Sequence, residues 1–443
     1  MKVHVVNLGC ARNLVDGEFL MGRLEKDGMT LTDQAEEAQA IVVNTCSFIE
    51  AAAQESIDTI LALARFKQMG RCRKLVVVGC LPERYQADIR SALPEVDVFL
   101  GTGAYDRISE ALRDPSGPDG GFCFPDPDRH MSGPADTGRR ITTGHLAYLK
   151  IMEGCDRHCT YCIIPRLRGR QRSRPMEDIL TEARGLIEGG VREIVLVGQE
   201  TTRYGNDLDA AFGLAELLDA LARLDPNVWI RVLYGHPESL DDRMIETIAS
   251  HSNLCSYFDI PIQHASDALL RRMGRHYGRD DLLRMADRIR NRIPDAALRT
   301  TVIVGFPGET NQDFDILMDL VEQIRFHHLG VFTYSDADDL PSHRLPDPVP
   351  VKLAQKRRNR LMALQRRLAE SIHEAYLGSR LTVLLDENPE PGLFVGRTAF
   401  QAPDVDGITY VNSRDTAVTL GPGQFVDAII TDTLEYDLIG ETG

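Results

Sequence analysis

The chain has 443 residues, with 50 lysines and arginines against 66 aspartates and glutamates, a net charge of −16 and 43% hydrophobic residues. That length predicts about three domains, each able to bury a core, and the acidic balance argues against non-specific adhesion to nucleic acid or an anionic membrane. Nine cysteines, an odd number in a long chain, argue against a secreted disulfide framework, and no apolar run approaches the roughly 20 residues that span a bilayer, so a soluble, cytoplasmic protein is expected.

Segments 3–10 (VHVVNLGC), 41–46 (IVVNTC) and 75–80 (LVVVGC) share one form, a short β-branched run ending in cysteine, with helical patterns at 16–26 and 51–65 between them. This alternation predicts an α/β domain with a doubly wound parallel sheet. The carboxyl ends of such strands share one edge, where ligands bind. Cys10, Cys46 and Cys80 are therefore expected to converge although 36 and 34 residues separate them. The bland alternative is three cysteines packed into a core. Residues 113–140 mix Pro115, Pro118, Pro125, Pro127 and Pro134 with Gly117, Gly120, Gly121, Gly133 and Gly138, which predicts a linker after a domain spanning 1–112.

Six candidate strands follow, at 147–152, 193–198, 229–234, 257–262, 301–305 and 330–334. Helical spacing appears at 176–188, 214–223, 281–290 and 314–324. That is a βα repeat of barrel type with two units fewer than eight, so function is expected at the strand C-termini. A long helix over 351–377 carries Lys352, Lys356, Arg357, Arg358, Arg360, Arg366 and Arg367; it reads as a brace with a solvated face and closes a domain spanning 141–377. Residues 378–443 read as short strands with turn signals, a small all-β barrel.

The sharpest motif is Cys155-Asp-Arg-His-Cys159-Thr-Tyr161-Cys162, directly after the first barrel strand. Three thiolates in eight residues suit an iron-sulfur cluster, and three ligands for four irons leave one iron open to chemistry. A zinc knuckle using His158 is the weaker reading, because zinc sites usually add a second, distant ligand pair. The C-x-x-x-C-x-x-C spacing resembles the radical S-adenosylmethionine (SAM) superfamily. Ile163-Ile164-Pro165-Arg166-Leu167-Arg168-Gly169 and Ser173-Arg174-Pro175 resemble its methylthiotransferase branch, and the likeness extends over the whole chain: an N-terminal domain with three spaced cysteines, a partial (βα)6 radical SAM barrel, and a TRAM-like β-barrel.

The resemblance implies an enzyme, with two [4Fe-4S] clusters and SAM as cofactors: Cys155, Cys159 and Cys162 ligate the SAM cluster, and Cys10, Cys46 and Cys80 an auxiliary one. Tyr161 is expected against the adenine, and Gly198, Gln199 and Glu200 near the SAM amino group; an ordinary strand-end carboxylate is the weaker reading of Glu200. The clusters and SAM carry the hard chemistry, so no side chain is named as catalytic. Cys72, Cys123 and Cys255 fit neither trio.

Members of this family act on adenosine in transfer RNA or on an aspartate of ribosomal protein twelve of the small subunit. Leu8 to Glu18 (LGCARNLVDGE), Gln199 to Gly205 (QETTRYG) and Arg397 to Gly407 resemble the ribosomal-protein branch, RimO-type. This implies conversion of that aspartate to its 3-methylthio form, a basic ribosomal protein as partner, and an electron donor and a sulfur source besides. From Ser379 onward eleven acidic residues face three arginines, which opposes an RNA-gripping domain and favours a basic protein, with RNA not the primary partner and no membrane. A transfer RNA methylthiotransferase is the alternative substrate class, and a non-catalytic iron-sulfur carrier or scaffold the alternative of another kind. Segments 259–267 (DIPIQHASD), with Gln263, His264 and then Arg275, and 300–310 (TTVIVGFPGET) are further strand-end matches, where turn chemistry is an equal reading. One departure stands out: after Tyr334-Ser335 the family's Glu-Glu-Gly-Thr-Pro-Ala type of stretch is replaced by Asp336-Ala-Asp338-Asp339-Leu-Pro341-Ser342-His343.

Overall fold

A computed structural model describes residues 1–114, 116–129, 138–209, 212–413 and 420–442; Pro115, Gly133 and Pro134 of the expected linker, and Arg414 and Asp415 of the last domain, lie outside the described residues. The N-terminal sheet contains β1 (Lys2–Asn7), β2 (Thr30–Leu31), β3 (Ala40–Thr45), β4 (Lys74–Gly79), β5 (Val98–Leu100) and β6 (Phe122–Cys123) in the order β2-β1-β3-β4-β5-β6. Every pairing is parallel. Alternation along β3 and β4 decides what packs on each face. Val42, Val76 and Val78 meet Leu20 and Leu24 of α1 (Ala11–Lys26); Ile41, Val43, Leu75 and Val77 meet Ala53, Ile60 and Ala64 of α2 (Glu50–Ala64). The sheet is thus doubly wound, as expected. The Pro/Gly-rich stretch is not wholly a linker: Phe122 and Cys123 pair with Phe99 and Leu100 as the edge strand. A two-residue strand among prolines carries no periodic signal, which is why sequence reading passes over it.

The second unit holds β7 (Leu146–Lys150), a short antiparallel pair β8 (Met152–Glu153) and β9 (Arg172–Ser173), then β10 (Glu193–Val197), β11 (Trp229–Val232), β12 (Tyr257–Asp259), β13 (Ala297–Val304) and β14 (His328–Thr333). The six long strands pair in parallel as β7-β10-β11 and β12-β13-β14. A bridge between Ile230 and Leu254 joins the two halves into one curved wall. Outward residues such as Leu149, Ile194, Leu196 and Val302 pack under the surrounding helices.

Inward residues of this partial barrel are filled by both neighbouring domains. Tyr148, Val195, Val197, Leu233 and Tyr257 form one cluster with Val15 and Phe19 of α1 and with Ala402 of the last domain, with Ala399 and Phe400 against it. The last domain is a closed barrel of β15 (Arg380–Glu390), β16 (Leu393–Thr398), β17 (Thr409–Ser413), β18 (Phe425–Thr433) and β19 (Leu438–Thr442). Its acidity is partly internal, so fewer than eleven of those acids are left to meet a basic partner. Asp386 pairs with Arg397 at 2.8 Å and with His145 at 2.8 Å. Asp406 has a fully buried side chain, lies 3.2 Å from Arg299 and accepts from the Tyr257 hydroxyl at 2.5 Å. Asp404 accepts from Tyr148 at 2.7 Å. Among the described residues no helix is long and apolar enough to cross a membrane.

Candidate active site at the domain junction

The barrel cysteines sit on a loop that begins where β8 ends. Gly154 turns the chain at φ +76°, and a Cβ there would lie 1.8 Å from the Arg170 carbonyl oxygen, so only glycine admits this close approach. Backbone bonds then pin the loop: Cys155 N–H donates to Gly169 at 3.1 Å, Thr160 N–H to Met273 at 3.1 Å and Cys162 N–H to Cys159 at 3.1 Å. Burial pushes the Cys155 thiol up to about 11, and Glu200 and Cys159 add to it. The Cys162 thiol is pushed up to about 12 by burial and then by Cys159 and Cys155. Thiolate formation at Cys155 and Cys162 therefore needs a compensating positive charge.

Around this loop the structure locates each residue expected near SAM. Tyr161 is packed edge-on to Phe306, and its hydroxyl accepts from Arg275 at 3.1 and 2.5 Å. Glu200 is not free: it receives two hydrogen bonds from Arg157 at 2.9 Å and one from Ser239 at 2.6 Å. Arg157 lies inside the Cys155–Cys159 spacing, so Glu200 holds the cysteine loop in place. Gly198 accepts from Arg12 at 3.0 Å, and Gln199 donates to Glu153. Three buried polar atoms in this neighbourhood have no protein partner: Gln199 Oε1, Arg275 Nη1 and His236 Nε2. His236 Nδ1 accepts from Glu238 N–H at 3.2 Å, which leaves Nε2 as the protonated nitrogen. Burial, then Arg275 and Arg157, hold this imidazole neutral, down to about 2. Unsatisfied buried donors and acceptors are costly, and their grouping fits a polar molecule such as SAM.

At the N-terminal sheet, Cys10, Cys46 and Cys80 each follow a strand, at the shared carboxyl edge. Gly9 lies at φ +93°, and a Cβ there would come within 3.1 Å of Cys46 Sγ, so the space beside that sulfur is kept clear. Cys80 is pushed up to about 11 by burial, against Arg168, and further by Cys46 and Cys10. Cys10 goes the other way: burial opposes ionisation, but Arg12, the Asn13 N–H and Arg168 hold its thiol below the ordinary value. Two guanidiniums beside three thiols form a donor set suited to an anionic iron-sulfur cluster. Among the described residues no three His, Cys, Asp or Glu side chains converge as ligands of one metal ion. Cluster thiolates bind different irons and require no such common point, whereas the zinc knuckle does.

A buried charge network runs from Cys80 across the domain junction to Glu153, two residues before Cys155. Arg168 donates to Cys80 Sγ at 3.4 Å, Asn13 at 2.6 Å and Asp16 at 2.6 Å, and reaches Glu153 at 3.4 Å. Lys150 bonds Asp16 and, at 2.9 Å, Glu153. Although burial opposes it, Lys150 and Arg168 hold the Glu153 carboxyl down at about 2. Arg12, Asn13, Asp16, Arg157 and Arg168 fall inside the sequence motifs with nothing to assign them a role, and Lys150, Glu153 and His236 lie outside those motifs. The i,i+3 pair of Lys150 and Glu153 across a strand end is the one local signal that was available. Cys72, Cys123 and Cys255 stay apart from both trios: Cys72 bonds the Lys74 carbonyl, Cys123 meets Arg107 and Cys255 is core.

Comparison with known proteins agrees with this arrangement. The Radical SAM superfamily matches residues 149–321, an uncharacterized protein family, UPF0004, matches 2–101, and the TRAM domain matches 377–442. A protein of Desulfosudis oleivorans named ribosomal protein uS12 methylthiotransferase RimO is 50% identical over 447 residues, covering 100% of both chains. Proteins of the same name from Clostridioides difficile and Geobacter sulfurreducens are each 45% identical, covering 100% and 99% of this chain and 98% of each relative. In fold, the chain is similar to the radical SAM methyltransferase TsrM from Kitasatospora setae solved with cobalamin and a [4Fe-4S] cluster, with a TM-score of 0.57 at 16% identity over 77% of each chain. A full-length likeness of this strength, carried through all three domains and the thiol-bearing junction, leaves one conclusion: the chain belongs to the RimO family of radical SAM methylthiotransferases.

Proposed function

We propose that this enzyme inserts a methylthio group at the β-carbon of an aspartate in ribosomal protein uS12, with one [4Fe-4S] cluster on Cys155, Cys159 and Cys162 and a second on Cys10, Cys46 and Cys80. The observation that carries this reading is the pair of thiol trios at one domain junction, with Arg168 bonded to Cys80 and reaching Glu153 beside the barrel loop, in a chain 50% identical to a RimO protein end to end. When bound, the SAM cluster and SAM supply a radical able to remove hydrogen from an unactivated carbon, and the auxiliary cluster supplies a place for sulfur.

The chain's own residues have separable tasks. The Arg157 bridge to Glu200 and Ser239 fixes the cysteine loop on the end of β10. Tyr161 offers a buried aromatic face, held by Arg275. Gln199 Oε1, Arg275 Nη1 and the His236 Nε2 proton await polar partners from SAM or substrate. Arg12 and Arg168 place positive charge beside the N-terminal thiols and so stabilise their thiolates. α1 lies between the N-terminal trio and β7, excluding water from the junction through Val15 and Phe19. The domains serve this division: 1–112 carries the auxiliary trio, 141–377 the SAM trio, and 378–443 closes the far mouth of the partial barrel. The working compartment is the cytoplasm, where the ribosomal substrate is made.

The test is anaerobic reconstitution with iron, sulfide, dithionite and SAM, followed by mass spectrometry of purified uS12. The expected result is a methylthio-modified aspartate together with 5′-deoxyadenosine. Modification of transfer RNA with untouched uS12 sinks the substrate assignment, and absence of 5′-deoxyadenosine sinks the enzyme reading altogether.

A further inference from the structure

The loop over 336–343 touches the surroundings of both trios. Both oxygens of Asp339 are gripped by Arg84: Nε donates at 2.9 Å to Oδ2 and Nη2 at 2.5 Å to Oδ1. The Arg84 side chain is 6% exposed and that of Asp339 19%. The third guanidinium nitrogen donates to the Ser47 carbonyl at 2.6 Å, one residue beyond Cys46, and Arg84 itself sits in the helix that starts at Cys80 (Cys80–Tyr85). From the other side, Arg166 in the helix just after Cys162 (Ile164–Arg168) donates to the Arg84 carbonyl at 3.3 Å and lies 3.6 Å from Asp339. Leu340 packs against Cys80, Ile163 and Leu167, and Ser342 N–H donates to the Thr160 carbonyl at 2.9 Å, between Cys159 and Cys162.

We propose that the Arg84–Asp339 pair is an interdomain clamp that sets the separation of the two thiol trios, so that Arg84 and Asp339 are positioning residues for sulfur insertion. The proposal rests on the two-cluster reading above. A bidentate pair of planar groups fixes direction as well as distance. A buried pair of this kind adds little net stability compared with apolar packing, and its best-attested use is to specify register. Register is what this junction demands: the two trios belong to separate domains, and a displacement of about 1 Å between reacting centres lowers rates by around a hundredfold. The loop over 336–343 thus carries an ionic anchor from the barrel onto the N-terminal domain.

The experiment uses the reconstituted full-length enzyme with Asp339→Asn, Arg84→Met and the double variant. Two readouts are taken: moles of 5′-deoxyadenosine per mole of modified uS12, and amide hydrogen exchange of segments 80–85 and 161–168 in the reconstituted and cluster-free chains. The expected result is a ratio raised about tenfold or more in each single variant, no further rise in the double variant because the two residues act as one unit, and faster exchange in both segments. An unchanged ratio with unchanged exchange overturns the clamp, as do single effects that add in the double variant. If the wild-type enzyme does not modify uS12 at all, the functional reading fails, and the exchange data alone then decide the clamp: unaltered protection in both single variants rejects it.

Discussion

The two trios reach the same end by opposite routes. The barrel trio is local: three cysteines within eight residues on a loop fixed by Gly154 and by the Arg157–Glu200 bridge. The N-terminal trio is assembled by topology, from the ends of β1, β3 and β4, and exists only once the parallel sheet has formed. Their electrostatics differ as well. Burial raises the barrel thiols at Cys155 and Cys162, whereas Arg12 and Arg168 reach into the N-terminal site and hold Cys10 low. A locally encoded site depends on its own loop; a topologically encoded one depends on everything that keeps its strands and their neighbours in place.

The sharpest separation comes from removing one thiol on each side. Cys155→Ala is expected to abolish SAM cleavage and, with Cys159 and Cys162 also replaced, to lower iron from about eight to about four per chain; Cys10→Ala should leave some 5′-deoxyadenosine formation but no sulfur insertion. Iron analysis and product chromatography measure both, and zero iron in the barrel-trio variant contradicts an independent N-terminal site. Next in size is Arg168→Met, which strips a guanidinium from Asp16 and Glu153 and leaves buried carboxylates to Lys150 alone; a loss of about 3–5 kcal/mol in denaturant unfolding is expected. A loss near zero removes Arg168 as the bridge between the sites.

Alkylation sharpens the electrostatic contrast. In the cluster-free chain at mildly alkaline pH, iodoacetamide should label Cys10 well before Cys162, since reactivity follows thiolate content and Cys162 is pushed up to about 12; peptide mapping that finds the reverse order removes the role given to Arg12. The smallest effect lies away from both trios, at the brace between barrel and last domain. Burial, with nearby cations, holds His327 down at about 3, and burial and His328 hold His373 down at about 4. Both are neutral when folded. Below about pH 6.5 the unfolded chain takes up protons that the folded chain refuses, so stability declines as pH falls from about 6.5 towards 4 and is indifferent to these groups above 7. Replacing both by glutamine should flatten that slope in thermal unfolding.

Much of this was legible in the sequence for physical reasons. Short apolar runs marked the barrel strands, because both faces are covered, and helical spacing marked the helices at 176–188 and 214–223, because one face of each is core. The placement of Cys155, Cys159 and Cys162 on one loop was legible from their spacing, and that of Cys10, Cys46 and Cys80 at strand ends from the sheet pattern. The short strands at 30–31, 98–100 and 122–123 were not, since two or three residues show no period. Helix Asp242–Ser250 was also passed over, although Asp241 caps it by accepting from Met244 N–H at 2.8 Å. Buried charges were the larger gap. Nothing local distinguishes Arg168 from a solvated residue; its role comes from Asp16, 152 positions away.

The plug of the partial barrel by Ala399, Phe400 and Ala402 also has a temporal meaning. Glu193, with a fully buried side chain, takes one of its two cations, Arg397 at 2.5 Å, from that same late segment, and Arg231 donates to the Ala399 carbonyl at 2.7 Å. During translation these partners emerge last, so a nascent or prematurely terminated chain holds a half-paired carboxylate in an open lumen. The barrel's buried charge balance is thereby completed only by the last domain: a truncation before Arg397 leaves Glu193 with Arg231 alone, although the cysteines of both trios have already been made.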